Sequence, residues 1–338
     1  MAKVAINGFG RIGRLFLKQA LGQKGLDVVA INDLGDIENL AYLLKYDTVY
    51  GRYEKEVEVS GKNLIVDGKK ILFLQEKDPA KLPWKELKID VVVEATGVFE
   101  SYEKAKVHLG AGAKRVVITA PAKDEDGSLG RTVLMGVNEK EIKTCPITSN
   151  GSCTTNAASP VIQILSDNPG IEKAILNTVH AYTATQSIVD GPVKGKDFRR
   201  GRAAAQNITP STTGAAIAVT RALREMEGKF DGIAIRVPVP GGSIADITFI
   251  SKKKTSVEEI NEIFRKAEKD ARWKGILKTT EDQIVSSDII GEPWGAIVDL
   301  SFTKVVGGNL VKVLSWYDNE AGYVSTLIKH VNAAIAAL

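Results

Sequence analysis

The sequence predicts an α/β fold of two domains, a doubly wound parallel sheet followed by an α+β domain with a mostly antiparallel sheet. Three observations favour this arrangement. The chain has 338 residues, more than most single domains contain. Its first half carries continuous apolar runs separated by helical patterns, as in parallel sheets buried on both faces. Its second half carries runs of alternating apolar and polar residues, which are typical of antiparallel strands.

Composition and charge exclude several classes of protein. Lysine and arginine number 45 against 41 acidic residues, and this small surplus is spread along the chain, so nucleic acid is not expected as the primary partner. No apolar run is long enough to span a membrane and no secretory segment stands at the start, so no membrane partner is expected. The two cysteines, Cys145 and Cys153, make no disulfide framework, which favours the reducing cytoplasm. No metal site is predicted.

The first forty residues contain the pattern of a dinucleotide-binding site of the Rossmann type. An apolar strand at 3–7 leads into a G-x-G-x-x-G turn at 8–13, a helical pattern at 14–21 and a second strand at 27–32 that ends at Asp33. In this motif the glycines permit a tight turn, close approach to a pyrophosphate and close helix packing. The helix N-terminus stabilises the phosphate charge. Asp33 is predicted to bind the adenosine ribose hydroxyls and to repel a 2′-phosphate, which favours NAD over NADP.

Two further apolar strands extend the predicted sheet. Residues 89–95 end just before Thr96 and Gly97, and residues 115–119 end at Thr119. Ligands of such sheets bind at the carboxyl ends of the strands, so these three residues are predicted to line the cofactor groove. Residues 55–75 alternate in polarity and include glycine turns, which predicts short antiparallel strands inserted in the sheet.

Cys153 lies in a segment of small polar residues, 149–156, at the point where a helical pattern begins. Backbone N–H groups at a helix start lower the pKa of a thiol and favour the thiolate, so Cys153 is a candidate nucleophile. The alternative is a buried structural cysteine, which is common for this residue type. The helical pattern contains Pro160, which predicts a kink there.

His180 is the histidine most suited to partner this cysteine. It lies in an alternating strand at 173–182, whereas His108 falls on a predicted surface helix at 102–109 and His330 lies near the C-terminus. A cysteine and a histidine distant in sequence can form a thiolate–imidazole pair. Taken alone, His180 would more often be a hydrogen-bonded core residue, and it is the presence of Cys153 that favours a catalytic role.

Six segments occur in order and with compatible spacing over nearly the whole chain. They are Gly-Phe-Gly-Arg-Ile-Gly-Arg at 8–14, Ser-Asn-Gly-Ser-Cys-Thr-Thr-Asn at 149–156, Val-His-Ala-Tyr-Thr-Ala-Thr-Gln at 179–186, Arg-Arg-Gly-Arg-Ala-Ala at 199–204, Ser-Thr-Thr-Gly-Ala-Ala at 211–216 and Ser-Trp-Tyr-Asp-Asn-Glu at 315–320. This set resembles the phosphorylating glyceraldehyde-3-phosphate dehydrogenase family. The resemblance implies a homotetramer, an NAD-binding domain at 1–152 completed by the C-terminal helix at 319–338, and a catalytic domain at 153–318.

The resemblance also implies roles for single residues, with Cys153 as nucleophile and His180 as its base. Together with the glycine motif, the predicted cofactor contacts are Gly8, Gly10, Arg11, Ile12, Gly13, Asp33, Thr96, Gly97, Thr119 and Asn319, the last at the nicotinamide amide. The residues implied to hold the substrate phosphate and the attacking inorganic phosphate are Ser152, Thr154, Thr183, Arg200, Thr213, Gly214 and Arg236. Independently, guanidinium groups suit phosphate because their paired N–H donors form charge-assisted bonds.

The remaining pattern completes the second domain and contains two departures from the family. Strands are predicted at 233–237, 245–251, 296–301 and 310–316, and helices at 211–228, 257–271 and 322–338. The loop at 239–242 differs from the family's commoner forms. Residues 190–198 resemble its Asp-Gly-Pro loop but carry a longer basic insert at 193–196. Both departures bear on substrate breadth.

The predicted reaction is the phosphorylating oxidation of glyceraldehyde 3-phosphate with NAD and inorganic phosphate to 1,3-bisphosphoglycerate, a step of glycolysis and gluconeogenesis. The cysteine attacks the aldehyde, oxidation of the thiohemiacetal leaves a thioester, and phosphate releases the product. Two alternatives stay open. One is a related aldehyde dehydrogenase that acts on erythrose 4-phosphate with water as acceptor, and the other is a non-catalytic NAD- or nucleic-acid-binding protein.

Overall fold

The computed structural model describes residues 1–193 and 195–338; Lys194, part of the predicted basic insert at 193–196, lies outside the described residues. The chain forms two compact units, residues 1–151 with 327–338, and residues 152–326. In the described parts of the chain, no helix is both long and apolar enough to cross a membrane. One large mixed sheet and a second, mostly antiparallel sheet confirm the predicted fold class.

The first unit alternates strands and helices along the chain. Its strands are β1 (Ala2–Asn7), β2 (Leu26–Asn32), β3 (Tyr46–Asp47), β4 (Gly51–Arg52), β5 (Val57–Ser60), β6 (Asn63–Val66), β7 (Lys69–Leu74), β8 (Val91–Glu94), β9 (Arg115–Ile118), β10 (Gly130–Thr132) and β11 (Ile147–Ser149). Its helices are α1 (Arg11–Ala20), α2 (Ile37–Lys45), α3 (Trp84–Leu87), α4 (Tyr102–Ala105) and α5 (Val107–Gly110). The nine-stranded sheet has the order β10-β11-β9-β8-β1-β2-β7-β6-β5.

The centre of this sheet is parallel and buried. Strands β9, β8, β1 and β2 pair in parallel, and their apolar side chains are almost wholly inaccessible to solvent. This burial on both faces explains why they read as continuous apolar runs. The register aligns Asn7 with Asn32 on one side and with Glu94 on the other. Three polar side chains therefore meet at the carboxyl ends of adjacent buried strands.

The segment at 55–75 forms three short strands, and the structure places them at one edge of the sheet. Strand β6 pairs antiparallel with both β5 and β7, and β7 joins β2 in parallel. The alternating pattern follows from this position, because an edge hairpin buries only one face of each strand.

His108 corrects one prediction. The expected surface helix at 102–109 is two short helical turns, α4 and α5, and His108 in the second of them is fully buried. Its ring nitrogens contact two buried polar groups, the Trp84 indole N–H at 3.1 Å and a Glu94 carboxylate oxygen at 3.0 Å. A polar ring is tolerated inside the core because both nitrogens have partners.

The second unit follows with a seven-stranded sheet covered by helices. Its strands are β12 (Ile171–Ala181), β13 (Thr209–Thr212), β14 (Phe230–Val237), β15 (Ser243–Ser251), β16 (Leu277–Thr280), β17 (Ala296–Val306) and β18 (Leu310–Tyr317), in the order β13-β14-β12-β15-β18-β17-β16. The helices that begin in it are α6 (Cys153–Asp167), α7 (Ala215–Ala222), α8 (Val257–Lys269) and α9 (Ala321–Ala336). Four of the six pairings are antiparallel, and β12 with β14 and β16 with β17 are parallel.

The predicted helix at 211–228 is wrong at both ends. Residues Thr209–Thr212 form edge strand β13, which pairs antiparallel with β14, and the α-helix covers only Ala215–Ala222. Gly214 precedes this helix, and a separate 3-10 turn follows at Arg224–Met226. Threonine and serine at 211–213 favour extended backbone, so sheet pairing prevails over the helical pattern there.

His330 leads to a prediction about acid stability. Its Nδ1 lies 3.1 Å from Asn150 Oδ1 and its Nε2 lies 2.6 Å from Thr148 Oγ1. Burial, with the positive charge of Arg115 second, lowers the pKa of His330 to about 3. The unfolded chain takes up this proton near pH 6.5, so the free energy of unfolding should fall by about 1.4 kcal/mol per pH unit between those values.

Urea unfolding of the wild type and of His330→Asn at pH 7.5, 6 and 5 tests this expectation. The variant should be less stable at pH 7.5 and should lose less stability on acidification than the wild type. An identical pH dependence in both proteins would contradict the assignment.

Candidate active site

A cleft of about 480 Å³ lies at the carboxyl ends of β1, β2 and β8 in the first unit. Four of the predicted cofactor residues line it, namely Gly8, Gly10, Asp33 and Thr96. The cleft is also lined by Asn7, Asn32, Leu34, Glu76, Lys77, Pro79, Ala95, Val98 and Phe99, which the sequence did not single out.

The glycines of the turn make room for close backbone packing. Gly8 has φ of +97°, and a Cβ there would lie 2.6 Å from the backbone nitrogen of Thr96. A Cβ on Gly13 would collide with the carbonyl oxygen of Gly8. Around Gly10, by contrast, the space is open, and the residue precedes helix α1. A side chain at Gly8 would therefore push the turn away from the end of β8, and one at Gly13 would push helix α1 away from the turn. Gly10 leaves room for a phosphate at the helix start.

Asp33 is held by the backbone at the end of β2. Its Oδ2 accepts a hydrogen bond from the Phe9 amide at 2.6 Å, and its Oδ1 accepts one from the Gly35 amide at 2.8 Å. Each oxygen retains a further lone pair for a ribose hydroxyl. The carboxylate is thus oriented before any ligand binds.

Arg11 and Ile12 occupy the first turn of α1. The Arg11 guanidinium forms an ion pair with Asp47 at 2.7 Å and lies 5.7 Å from the centre of the Tyr50 ring. Ile12 is half-buried. Neither residue is among those that line the cleft.

Gly97 and Thr119 follow β8 and β9 at the same edge of the sheet. Gly97 adopts φ of +70°, in the turn that Thr96 begins. The Thr119 amide donates to the Glu94 carbonyl at 3.0 Å, which keeps the two strand ends adjacent. Thr119 is half-buried and stands outside the lining of the cleft.

In the second unit, Cys153 is the first residue of helix α6. Ser152 caps the helix, because its hydroxyl accepts from the Thr155 amide at 3.1 Å while the Thr155 hydroxyl accepts from the Ser152 amide at 3.1 Å. This reciprocal cap explains why the segment of small polar residues begins a helix. It fixes the direction in which the Cys153 side chain leaves the backbone.

Cys153 and His180 lie side by side. The Sγ of Cys153 is 3.3 Å from Nε2 of His180, although 27 residues separate them. Strands β12 and β14 are parallel neighbours, and their register aligns His180 with Arg236. As a result, a guanidinium nitrogen of Arg236 lies 2.6 Å from Nδ1 of His180. The structure thus brings a thiol, an imidazole and a cation into one cluster.

The Nδ1 atom of His180 faces one group that requires it to carry a proton and another that requires it to be unprotonated. The Ala181 carbonyl oxygen at 2.6 Å can only accept, whereas the Arg236 guanidinium can only donate. When Nδ1 donates to Ala181, Nε2 has a free lone pair and can take a proton from Cys153. When Nδ1 accepts from Arg236, Nε2 carries the proton instead. His180 can therefore act as a base through Nε2 only when Arg236 donates its hydrogen bonds to a group other than Nδ1.

Burial dominates the electrostatics of this cluster. Burial raises the pKa of Cys153, and the Arg236 charge together with the Thr154 amide and hydroxyl lowers it. The predicted effect of the helix start is therefore present but outweighed. Burial and the Arg236 charge lower the pKa of His180 to about 3. The imidazole is consequently neutral near pH 7 and is able to accept a proton.

A second polar group surrounds Arg200. Its guanidinium donates to Ser211 Oγ at 2.8 Å and to Thr185 Oγ1 at 3.3 Å, and Thr185 in turn contacts Thr183 Oγ1 at 3.0 Å. Burial lowers the pKa of Arg236, and the charge of Arg200 adds a smaller effect in the same direction. Two cations that repel one another across a polar surface form a site suited to an anion.

Three other predicted residues lie at nearby strand and helix ends of the second unit. Thr213 Oγ1 accepts from the Ala215 amide at 3.2 Å at the start of α7, which Gly214 precedes. Asn319 Oδ1 accepts from Ser243 Oγ at 3.1 Å. Among the described residues, none of these three forms a hydrogen bond with Cys153, His180 or Arg236.

Tyr317 is a member of the cluster that sequence reasoning did not assign. Its hydroxyl lies 2.8 Å from Thr154 Oγ1 and 2.7 Å from Thr178 Oγ1, and its ring meets the His180 ring edge-on at 5.9 Å. In the sequence, the only indication of a role for Tyr317 was its position in the family segment at 315–320. No group of three or more metal-ligating side chains is found in the part of the chain that is described.

The fold and the cleft define a dinucleotide-dependent oxidoreductase. A family model described as glyceraldehyde 3-phosphate dehydrogenase, NAD binding domain, matches residues 2–102, and one described as the C-terminal domain matches residues 152–319. The chain belongs to the glyceraldehyde 3-phosphate dehydrogenase family. It is therefore an NAD-dependent oxidoreductase, as the resemblance predicted.

Individual relatives agree with this family over nearly their whole length. The chain is 52% identical over 331 residues to glyceraldehyde-3-phosphate dehydrogenase of Thermotoga maritima, covering 97% of each chain. Identity is 49% over 329 residues with the enzyme of that name from Streptomyces coelicolor, covering 96% of each. It is 48% over 333 residues with that from Clostridium pasteurianum, covering 97% of each.

Proposed function

We propose that the protein oxidises glyceraldehyde 3-phosphate with NAD and inorganic phosphate to 1,3-bisphosphoglycerate. The observation that carries this proposal is the Cys153–His180 pair at 3.3 Å, with Arg236 in contact with His180, in a chain of this family. A thiol and a neutral imidazole supply covalent and base catalysis, and the arginines supply binding for phosphate.

The cleft of the first unit fits the cofactor. Gly8 lines the cleft at a position where the neighbouring backbone leaves no space for a Cβ. Asp33 presents a carboxylate at the end of β2, where backbone hydrogen bonds hold it. When bound, NAD supplies the hydride acceptor. Gly8, Gly10 and the start of α1 would hold its pyrophosphate, and Asp33 would hold the ribose hydroxyls.

The chemistry of the protein's own residues begins with the thiol. Cys153 Sγ forms a bond to the aldehyde carbon while the thiol proton passes by way of His180 Nε2 to the carbonyl oxygen, which gives the thiohemiacetal. His180 Nε2 then takes the hydroxyl proton as the hydride leaves the same carbon for the acceptor. A thioester on Cys153 remains. An oxygen of inorganic phosphate then attacks the thioester carbon, and the carbon–sulfur bond breaks. The departing sulfur takes up the proton that the phosphate loses, which restores the thiol, and His180 returns its own proton to solvent.

Arg236 couples anion binding to the state of His180. A phosphate oxygen near Arg236 is a better acceptor for the guanidinium than a neutral ring nitrogen. Once Arg236 turns to the anion, Nδ1 of His180 can donate to the Ala181 carbonyl, and Nε2 becomes the base. The phosphate group of the substrate thereby favours the His180 tautomer with its proton on Nδ1, and oxidation of the substrate requires this tautomer.

Steady-state NADH formation from glyceraldehyde 3-phosphate, with and without inorganic phosphate, tests the proposal. Sustained turnover that depends on phosphate supports it. A burst that stalls with phosphate present, or faster turnover of erythrose 4-phosphate with water as acceptor, would favour the alternative aldehyde dehydrogenase. Absence of any burst from reduced protein would favour a binding protein.

Replacing Asp33 should relax the choice of cofactor. In Asp33→Asn the carboxylate charge that repels a 2′-phosphate is lost, while one side-chain acceptor for the ribose remains. We expect the ratio of kcat/KM for NADP to that for NAD to rise at least about tenfold, about 1.4 kcal/mol of discrimination. Steady-state kinetics with both cofactors measure this ratio, and an unchanged ratio would rule out a role for Asp33 in it.

The protein is further proposed to be a homotetramer of the cytoplasm. Ile175, Ile233 and Leu310 are exposed on strands β12, β14 and β18 of the second unit, an apolar surface that suits a second copy of the chain. Both cysteines are free, as a reducing compartment requires. Sedimentation equilibrium tests the assembly, and a monomer at micromolar concentration would refute it.

A further inference from the structure

We propose that Glu94 is a positioning residue of the NAD site. Its buried carboxylate holds the turn at Thr96 and the amide of Asn7, and this raises the affinity of the cleft for NAD. The inference rests on the proposed binding of NAD in the cleft. It adds a group that neither the glycine motif nor the family resemblance singled out.

Glu94 is the last residue of β8, and its side chain is buried beneath the cleft. One oxygen, Oε1, accepts from the Thr96 amide at 2.8 Å and from the Thr96 hydroxyl. The other, Oε2, accepts from Asn7 Nδ2 at 2.6 Å and contacts His108 Nε2 at 3.0 Å. Two oxygens therefore serve four groups that approach from three different elements.

The hydrogen bonds determine which atoms carry protons. The indole N–H of Trp84 can only donate, so Nδ1 of His108, at 3.1 Å, must accept. The proton of the neutral ring is then on Nε2 and points to Glu94. Each of the four neighbouring groups can donate a hydrogen bond to the carboxylate. Among the described residues, no lysine or arginine nitrogen lies within 4 Å of it.

This carboxylate is connected to the wall of the cleft on two sides. Thr96 lines the cleft, and its hydroxyl also accepts from the Val98 amide at 3.0 Å, so the turn after β8 is tied to Glu94. Asn7 lines it as well, and its Oδ1 accepts from Asn32 Nδ2 at 2.8 Å. The ends of β1, β2 and β8 are thus joined through one buried carboxylate group, and the surface that NAD would contact is ordered before NAD binds.

A glutamine at this position cannot replace the glutamate. Its amide oxygen could accept from the Thr96 pair or from Asn7 and His108. Its amide nitrogen would then face either the two donors Asn7 Nδ2 and His108 Nε2 or the backbone N–H of Thr96. His108 cannot relieve the conflict by changing its tautomer, because Trp84 requires a lone pair on Nδ1. One side of the network must open, and a donor that loses its partner in the core is costly.

Isothermal titration of Glu94→Gln with NAD, without aldehyde, tests the inference. We expect the dissociation constant to rise about tenfold. The matched control is Trp84→Phe, which removes the outermost donor but leaves the bonds from Glu94 to Asn7 and Thr96. It should lower the melting temperature while its NAD dissociation constant stays within twofold of the wild type. Equal affinity in Glu94→Gln, or equal loss in both variants, would overturn the proposal.

A second pair of variants applies if Glu94→Gln does not fold. Thr96 is exposed, so Thr96→Val and Thr96→Ser should both fold. The serine keeps the hydroxyl bond to Glu94 that the valine loses, so the valine should bind NAD about threefold more weakly than the serine. Equal affinities would overturn the inference. Failure of the wild type itself to bind NAD would instead refute the proposed placement of the cofactor.

Discussion

Replacing Cys153 by serine is expected to abolish NADH formation from glyceraldehyde 3-phosphate, with a loss of roughly 10⁴-fold or more. A serine hydroxyl is a far weaker nucleophile, and it cannot form the thioester from which phosphate releases the product. NAD affinity should stay unchanged, because the cleft that Asp33 and Gly8 line belongs to the other unit. Stopped-flow absorbance at 340 nm and titration with NAD measure the two properties separately.

Cys145 provides the matched control. It is a buried thiol that donates to the Ile147 carbonyl at 3.2 Å, and a serine hydroxyl can make the same bond. Cys145→Ser should therefore keep its activity within about twofold. More than a tenth of wild-type activity in Cys153→Ser, or an equal loss in Cys145→Ser, would contradict the assignment of the nucleophile.

The parts of the site that could be predicted are those that a short segment determines alone. The glycine spacing specifies a strand, a turn and a helix within twenty residues, and the structure places Gly8, Gly10 and Asp33 around one cleft. The start of α6 could also be predicted from neighbouring residues, because Ser152 and Thr155 form a reciprocal cap there. In both cases the signal and the structure lie within a few residues of each other.

The contacts that could not be predicted depend on which strands pair. His180 meets Arg236 only because β12 and β14 are parallel neighbours in one register, and the sequence contains no local sign of that register. His108 was assigned to the surface for the same reason. Its helical pattern gave no hint that Glu94 and Trp84, distant in sequence, would satisfy its ring nitrogens in the core.

The pKa of Cys153 could not be predicted from the sequence, for a different reason. The helix start and Arg236 do favour the Cys153 thiolate, but burial has the larger effect and raises the pKa. Burial depends on the whole fold, so a short segment cannot reveal it. Before the reaction, Cys153 is accordingly a thiol and His180 a neutral imidazole. His180 must therefore remove the thiol proton during the reaction.

Replacing His180 by asparagine should therefore slow the burst of NADH by about 10²–10⁴-fold while Cys153 remains in place. Asparagine has no group that takes a proton near pH 7, so hydroxide must do so. The burst rate of the variant should then rise by about tenfold per pH unit between pH 6 and 8. The wild type should depend less on pH, because the pKa of His180 is about 3 and its ring stays neutral over that range.

His330→Asn is the control that separates base catalysis from the general cost of losing a buried histidine. Both rings are buried and both have a pKa of about 3, but His330 contacts Thr148 and Asn150 and belongs to the other unit. It should lower stability and leave the burst rate and its pH profile unchanged. A burst in His180→Asn within threefold of the wild type would show that another group removes the proton. The Cys153–His180 contact would then serve only to orient the thiol.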